Sequence, residues 1–474
     1  MSDLARRIAA LSPAHRQLLA RRLGIGAHGS ASLTPVPPDV DPHGAPLTIG
    51  QLRMWDTHQR APGAPINVAC QVVTLSGALD VTTLEASVQA VIARHAALRT
   101  TFVVVNGTPR QIARGAVAIE RLELAERSPE ARDDALTALA KKQAWTHFDV
   151  EAGPLVRVAL VRMSATEHAL LVSAHNLVFD AWSFSIMLDD LIAVYNAGGN
   201  AGVLPPLLVS YRDYAYWHER WLASEGYGAQ LAYWRDALAA PLPAPLLTDM
   251  PRSAVPSDQG QRVDFALPPQ ARDELAALAR KEGVTMFMVF VALVQALIYR
   301  RAGTEEVIIG TLNANRALPE IERVIGYFLN VVPLRTSFAG ATSFRELLGR
   351  VRKVALGAQA HAQAPYERLV QDIAHQEPPG CNPLFDVLFV YENVPPPKEG
   401  LRGVTMTTRD VDKGVARYDL TIAVYQEPDR LHGWLEYRPA LFREDTVRAM
   451  IAELVQMVEE VMADPGAPVA RGRA

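Results

Sequence analysis

The sequence predicts an α/β protein built from two layered lobes. Three observations carry that expectation. From Leu47 onward, β-branched apolar runs alternate with helix-spaced runs. The order strand, helix, strand recurs in both halves without any repeat in the sequence itself. A proline-rich stretch, PLPAPLLTDMPRSAVPSDQGQ, breaks the pattern between them and reads as a connection. We therefore expect an N-terminal helix and linker over 1–44, a first lobe over 45–222 and a second over 223–474.

The elements follow in order. Residues 1–24 read as short amphipathic helix, with Ser12 as N-cap, Pro13 at the first helical position and Gly24 as a stop. The next segment, GAHGSASLTPVPPDVDPHGAP, is too poor in apolar residues to be buried and reads as a linker. Val68 to Leu75 reads as a strand, Val81 to His95 as a helix and Leu98 to Val105 as a strand. Ala135 to His147 has helical spacing, and Leu155 to Arg162 and His168 to Ala174 are strand-like. Trp182 to Tyr195 is an amphipathic helix. In the second half, Arg262 to Leu267 reads as a strand, Pro269 to Lys281 as a helix and Met286 to Tyr299 as a buried helix. Strands fit Glu306 to Gly310, Val332 to Thr336, Phe385 to Tyr391 and Leu420 to Tyr425, and a last helix covers Thr446 to Met462.

Bulk properties narrow the function classes. The formal charge is −4, from 47 basic and 51 acidic residues, too balanced to recommend nucleic acid or an anionic membrane as partner. The two cysteines, Cys70 and Cys381, suggest neither a disulfide framework nor a zinc site and fit a reducing cytoplasm. The longest apolar run, Val284 to Tyr299, is short for a membrane span and carries Thr285 and Gln295. The start, MSDLARRIAALSP, lacks the apolar region of a secretory signal.

The chemistry concentrates in one stretch, LLVSAHNLVFDAWSFSIM, residues 170–187. A strand runs into a loop and then a helix, and His175, Asn176, Asp180, Trp182 and Ser183 cluster at the junction. Polar side chains at the end of a buried strand often form a site. A helix cap beside an internally bonded core histidine would give the same pattern.

Family resemblance separates these readings. The run His175-Asn176-Leu177-Val178-Phe179-Asp180-Ala181 resembles the HHxxxDG motif of the condensation domains of nonribosomal peptide synthetases, with Asn176 in place of the second histidine and Ala181 in place of the glycine. Six further segments resemble that family's signatures in its order: PLTIGQLRMW, RHAALRTTF, YRDYAYW, IGYFLNVVPLR, APYERLV and NPLFDVLF. RYDLTIAV and GWLEYRPALF resemble its late strands more loosely. Together they span about residues 45–465.

The resemblance implies two chloramphenicol acetyltransferase-like lobes in a V-shaped pseudodimer with a central tunnel. Donor and acceptor carrier proteins would insert phosphopantetheine arms from opposite mouths, and no cofactor or metal would be bound directly. An acyl or aminoacyl thioester would then be transferred to an amine. Such an amine has a pKa of about 8, so it must reach the thioester neutral or lose a proton there. Its attack creates an oxyanion that needs a donor. A histidine serves as base or donor, whereas Asn176 exchanges no proton and keeps only its amide hydrogen bonds.

The resemblance also distributes roles. Asn176, His175 and Asp180 form the catalytic loop, with His175 in the position the family uses structurally. Asp180 is expected to pair with a buried arginine, for which Arg99 is the candidate. Ser183 either caps the next helix or meets the pantetheine arm, and Trp182 either packs or touches substrate. Asn330, Arg316 and Tyr366 are placed on the tunnel or acceptor side, with core roles open for Asn330 and Tyr366. Asn313, Asn315 and Arg316 depart from the family's Gly- and Pro-containing stretch. Heterocyclisation relatives carry aspartate where His175 stands, and epimerisation relatives keep the second histidine, so neither chemistry is expected. Two functions follow: an acyltransferase forming an amide or ester, or a non-elongating gate or recruitment platform like the degenerate branch that recruits oxidases.

Overall fold

The computed structural model describes residues 33–124, 128–239, 241–243, 245–252, 257–340, 343–373, 381–392 and 399–469. The helix expected over 1–24 and the first part of the linker lie outside them. The expected mixed α/β architecture is present, in two main sheets and a small one.

The first sheet contains β2 (Val68–Gly77), β5 (Ile119–Glu123), β6 (Val156–Arg162), β7 (Glu167–His175) and β12 (Val404–Asp410), in the order β12-β2-β7-β6-β5. Strand β7 is central and buried along almost its whole length, so it reads as a continuous apolar run rather than an alternating one. It pairs antiparallel with β2, which places Val68 opposite His175. Helix α3 (Pro129–Trp145) packs on β2 and β7, helices α2 (Val81–Arg94) and α4 (Ala181–Asn196) pack on each other, and all three contribute to the first core. A small sheet of β1 (Ala45–Pro46), β4 (Thr108–Ala113) and β3 (Thr100–Val105) flanks it. Leu98 and Arg99, expected as the start of β3, belong instead to a 3-10 turn, Ala96–Arg99, that closes α2 onto the strand.

The second sheet contains β8 (Gln261–Ala266), β9 (Glu306–Asn313), β10 (Asn330–Ser337), β11 (Val387–Glu392), β13 (Leu420–Gln426) and β14 (Leu431–Tyr437), in the order β10-β9-β11-β13-β14-β8. Its core takes in α7 (Ala271–Glu282), α8 (Met286–Ala302), α9 (Phe344–Ala360) and α11 (Glu444–Ala463). Helix α8 is apolar all round and buried from Met288 to Leu297, the pattern of a helix enclosed by protein. Among the described residues, no single helix is long and apolar enough to cross a membrane.

Two hydrophobic cores result, and their memberships do not follow a single cut of the chain. The first core takes residues up to Trp221, but also Ile321, Val324, Ile325, Tyr327 and Phe328, and Leu401, Val404 and Val411. The second half thus returns two segments to the first. One covers the inner side of α4, and the other becomes β12, the edge strand that pairs with β2 from Val404↔Gly77 to Asp410↔Gln71.

Candidate functional site

The site begins where β7 ends. His175 and Asn176 are held by backbone bonds on both sides: the His175 N–H donates to Leu155 O (2.9 Å) and the Asn176 N–H to Asn67 O (2.8 Å). A tight turn follows, closed by the Val178 N–H donating to His175 O (3.0 Å). Helix α1 (Ile49–Arg60) reaches the same turn from outside, because Gln51, the capping-box partner of Thr48, also donates from Nε2 to Leu177 O (2.8 Å). Gln51 is fully buried and holds the loop, a role the sequence reading does not assign to it. Its signal is the T-x-x-Q capping spacing at Thr48.

His175 points inward. Its Nδ1 accepts the Leu177 N–H (3.1 Å), which leaves the single proton of a neutral ring on Nε2. The His58 and Phe148 rings meet it edge-on at centroid distances of 5.1 and 6.1 Å. Burial, with the charges of His58, Arg417 and His147 nearby, pushes the imidazole down to about 3. His175 is therefore neutral at ordinary pH. The unfolded chain takes up this proton near the ordinary histidine value of 6.5, the folded chain only near 3. Between these values the unfolded state binds more protons, so stability is complete above about pH 6.5 and falls as the pH drops. From pH 6.5 to 5, the parent should lose about 2 kcal/mol more than a His175→Gln variant, read from denaturant midpoints at the two pH values. Equal losses in the two proteins would contradict a neutral buried imidazole.

Asn176 is half-buried, and its carboxamide makes no hydrogen bond among the described residues. Its backbone is tied at Asn67 O, which fixes where the side chain starts, while both donor and acceptor of the amide remain available.

Asp180 closes the loop onto α4. Its Oδ1 accepts the Ser183 N–H (2.7 Å) as the helix N-cap. Its Oδ2 accepts the Phe328 N–H (3.0 Å) from the second half. Its ion-pair partner is Arg316 (3.2 Å), with both side chains almost fully buried. This corrects the expectation for Arg99, whose guanidinium instead donates to Ile92 O and Ala93 O at the end of α2. Arg99 is consumed by the orphan carbonyls of the helix that precedes it, a common fate for arginine just past a C-terminus.

Ser183 is a clasp rather than a cap or an arm contact. The hydroxyl is fully buried, donates to Gly326 O (2.9 Å), and accepts from Gly326 N–H (3.1 Å) and Arg316 (3.1 Å). Arg316, expected on the acceptor side, is committed too. Beyond Asp180 and Ser183 it donates to Ile321 O (2.9 Å) and Val324 O (2.6 Å), and it lies 4.2 Å from the Phe328 ring centroid. Trp182 is half-buried against the first core. Asn330 is buried and spends its amide on Ala362 O (2.8 Å), Ala364 O (2.7 Å) and the Tyr366 N–H (3.0 Å). This shapes the entry to α10 (Tyr366–Ile373). Tyr366 is buried, donates to Pro383 O and carries Arg53 over its ring at 5.4 Å. Among the residues singled out in the sequence, Asn176 presents beside the loop a polar end that makes no hydrogen bond among the described residues.

Comparison with known proteins places this geometry. A family model described as Condensation domain matches residues 42–472. A linear gramicidin synthase of Brevibacillus parabrevis is 36% identical over 427 residues, 89% of this chain but 8% of that protein. The phosphinothricin tripeptide synthetase PhsC of Streptomyces viridochromogenes is 34% identical over 474 residues, 98% of this chain and 44% of that protein. The chain thus spans less than half the length of these two relatives. Among solved structures, the X-domain from teicoplanin biosynthesis superposes with a TM-score of 0.81 at 27% identity, covering 93% of this chain and 99% of that one. That X-domain is also known in complex with OxyB.

Proposed function

Because this chain belongs to the condensation-domain family, we propose that it stands between two carrier proteins of a nonribosomal peptide or hybrid polyketide/peptide assembly line and passes an acyl or peptidyl group from the donor thioester to an amine on the acceptor. In this reading, 45–222 and 223–474 act as lobes of a V with a tunnel between them, and the two phosphopantetheine arms meet at the 175–180 loop. The work would take place in the cytoplasm.

One observation carries the reading: the loop is fully braced around an uncommitted amide. The His175–Leu177 bond, the Asp180–Arg316 pair and the Ser183 clasp all brace the loop that carries Asn176. The amine would enter already neutral and attack the thioester carbon. Asn176 would accept a hydrogen bond from the amine or donate one to the oxyanion. As the C–N bond forms and the C–S bond breaks, the proton leaves nitrogen through water, and the departing thiolate is protonated from solvent. Positioning is then the main source of rate.

A second reading has its own support. Asn176 carries no exchangeable proton at neutral pH, and the teicoplanin X-domain is similar along almost the whole chain. The chain would then act as a non-elongating gate or as a platform that recruits a partner.

The two are separated by loading a donor carrier with an acyl chain and an acceptor carrier with an amino acid, and following both by intact-protein mass spectrometry. The transferase reading expects the acyl mass to move to the acceptor. Carriers that bind while no mass moves, with the parent and with Asn176→His alike, would leave the platform.

A further inference from the structure

After β12 the chain crosses back to the second sheet through Val411–Arg417, and this return limb grips the strand beneath the catalytic loop. On one side it bonds the start of β2 at successive points. The Val411 N–H donates to Cys70 O (3.2 Å) and the Lys413 ammonium donates to Val68 O. Arg417 donates to Ile66 O (2.8 Å) and to the Asn67 side-chain oxygen. On its other side the limb is tied to the second half. Gly260 N–H donates to Gly414 O (2.9 Å), Ala416 N–H to Asp258 O (3.0 Å), and Arg438 to Arg417 O (2.8 Å). The Trp145 indole on α3 donates to Lys413 O (3.0 Å) and fixes the bend.

The gripped residues are the ones that hold Asn176. Asn67 O accepts the Asn176 N–H, and Val68 lies opposite His175 in the β2–β7 register. From the geometry we infer that the Val411–Arg417 limb is a positioning strut: Lys413 sets the place of the Asn176 amide by holding the Asn67–Val68 backbone, and it links that place to the arrangement of the second half. An ammonium is suited to the task because a charge-assisted bond to a carbonyl is stronger than a neutral one. Burial lowers the Lys413 pKa, while Asp410 and Glu436 oppose that shift and favour the charged form.

A strut differs from general stabilisation in what it moves. Where positioning supplies the rate, a small displacement of Asn176 lowers kcat and leaves carrier binding alone. The kinetic arm of the test rests on the transferase reading, and the exchange arm does not. In Lys413→Met, hydrogen exchange at the amides of residues 176–178 should quicken about tenfold, the scale of one lost hydrogen bond. kcat should fall about tenfold while KM for either thioester stays within about twofold. Lys413→Arg should restore both. Trp145→Phe, which removes the indole N–H together with the pyrrole ring of a half-exposed side chain, should shift loop exchange and kcat in the same direction by less. Loop exchange unchanged in both Lys413→Met and Trp145→Phe would overturn the inference, as would a rise in KM with kcat intact. If loop exchange quickens as stated but no protein, the parent included, moves an acyl group, the strut stands and the transferase reading falls.

Discussion

Asn176→His is expected to raise acyl transfer about 10²–10⁴-fold, the usual contribution of a placed general base. The backbone at this position is held by Asn67 O, and the side chain it replaces is uncommitted, so the imidazole enters without breaking an existing bond. The pH profile should change with the rate. In the parent, only the neutral fraction of an amine of pKa about 8 can attack, roughly a tenth of it at pH 7. The parent rate should therefore climb about tenfold per unit up to about pH 8 and level off above it. With an imidazole in place, the ascending limb should report the base and lie near pH 6.5, so the gain is greatest at and below neutrality. His175 adds no limb of its own, because it stays neutral down to about 3. Transfer followed with carrier-bound substrates at pH 6, 7, 8 and 9 checks both parts. A parent and variant with identical ascending limbs would mean that proton removal does not limit the step.

The legible and illegible parts of this site differ for physical reasons. Strand β7 and helix α4 are legible because burial writes a period into the sequence: an apolar run through His168–Ala174, then helical spacing from Trp182. The Asp180–Arg316 pair is not. The partners lie 136 positions apart, and a charge pair of that separation leaves no periodic trace. Arg99 is the natural candidate from its place in RHAALRTTF, yet motif membership does not show which carbonyls are nearest. Strand β12 is hidden because it is an edge strand with one buried side chain, Val404, among threonines and charges. Nothing in VTMTTRD separates it from a polar loop, although it supplies the edge of the first sheet and leads directly into the return limb. The late RYDLTIAV segment is visible as a resemblance, but its Arg417 reaches the site through Asn67, a contact made only by the fold.

Breaking the Asp180–Arg316 pair should have the largest effect on stability. Arg316→Met leaves a carboxylate buried with the N–H groups of Ser183 and Phe328 but without its cation. Asp180→Ala strands a guanidinium whose remaining partners are carbonyls and the Ser183 hydroxyl, and it also removes the α4 cap. An uncompensated buried charge costs about 3–5 kcal/mol, and the lost cap adds about 1 kcal/mol in the second case. For a lobe of this size the apparent melting midpoint should fall by roughly 10 °C. Arg99→Met should move it by no more than about 3 °C, because that side chain bonds helix-end carbonyls that water can reach. The double variant Asp180→Leu/Arg316→Met should be less destabilised than the sum of the singles, since neither charge is then stranded. The pair joins the loop after β7 to the segment that returns from the second half, so its loss should also slow transfer in protein that remains folded. Midpoints that fall for Arg99→Met as far as for Arg316→Met would assign the buried partner of Asp180 wrongly.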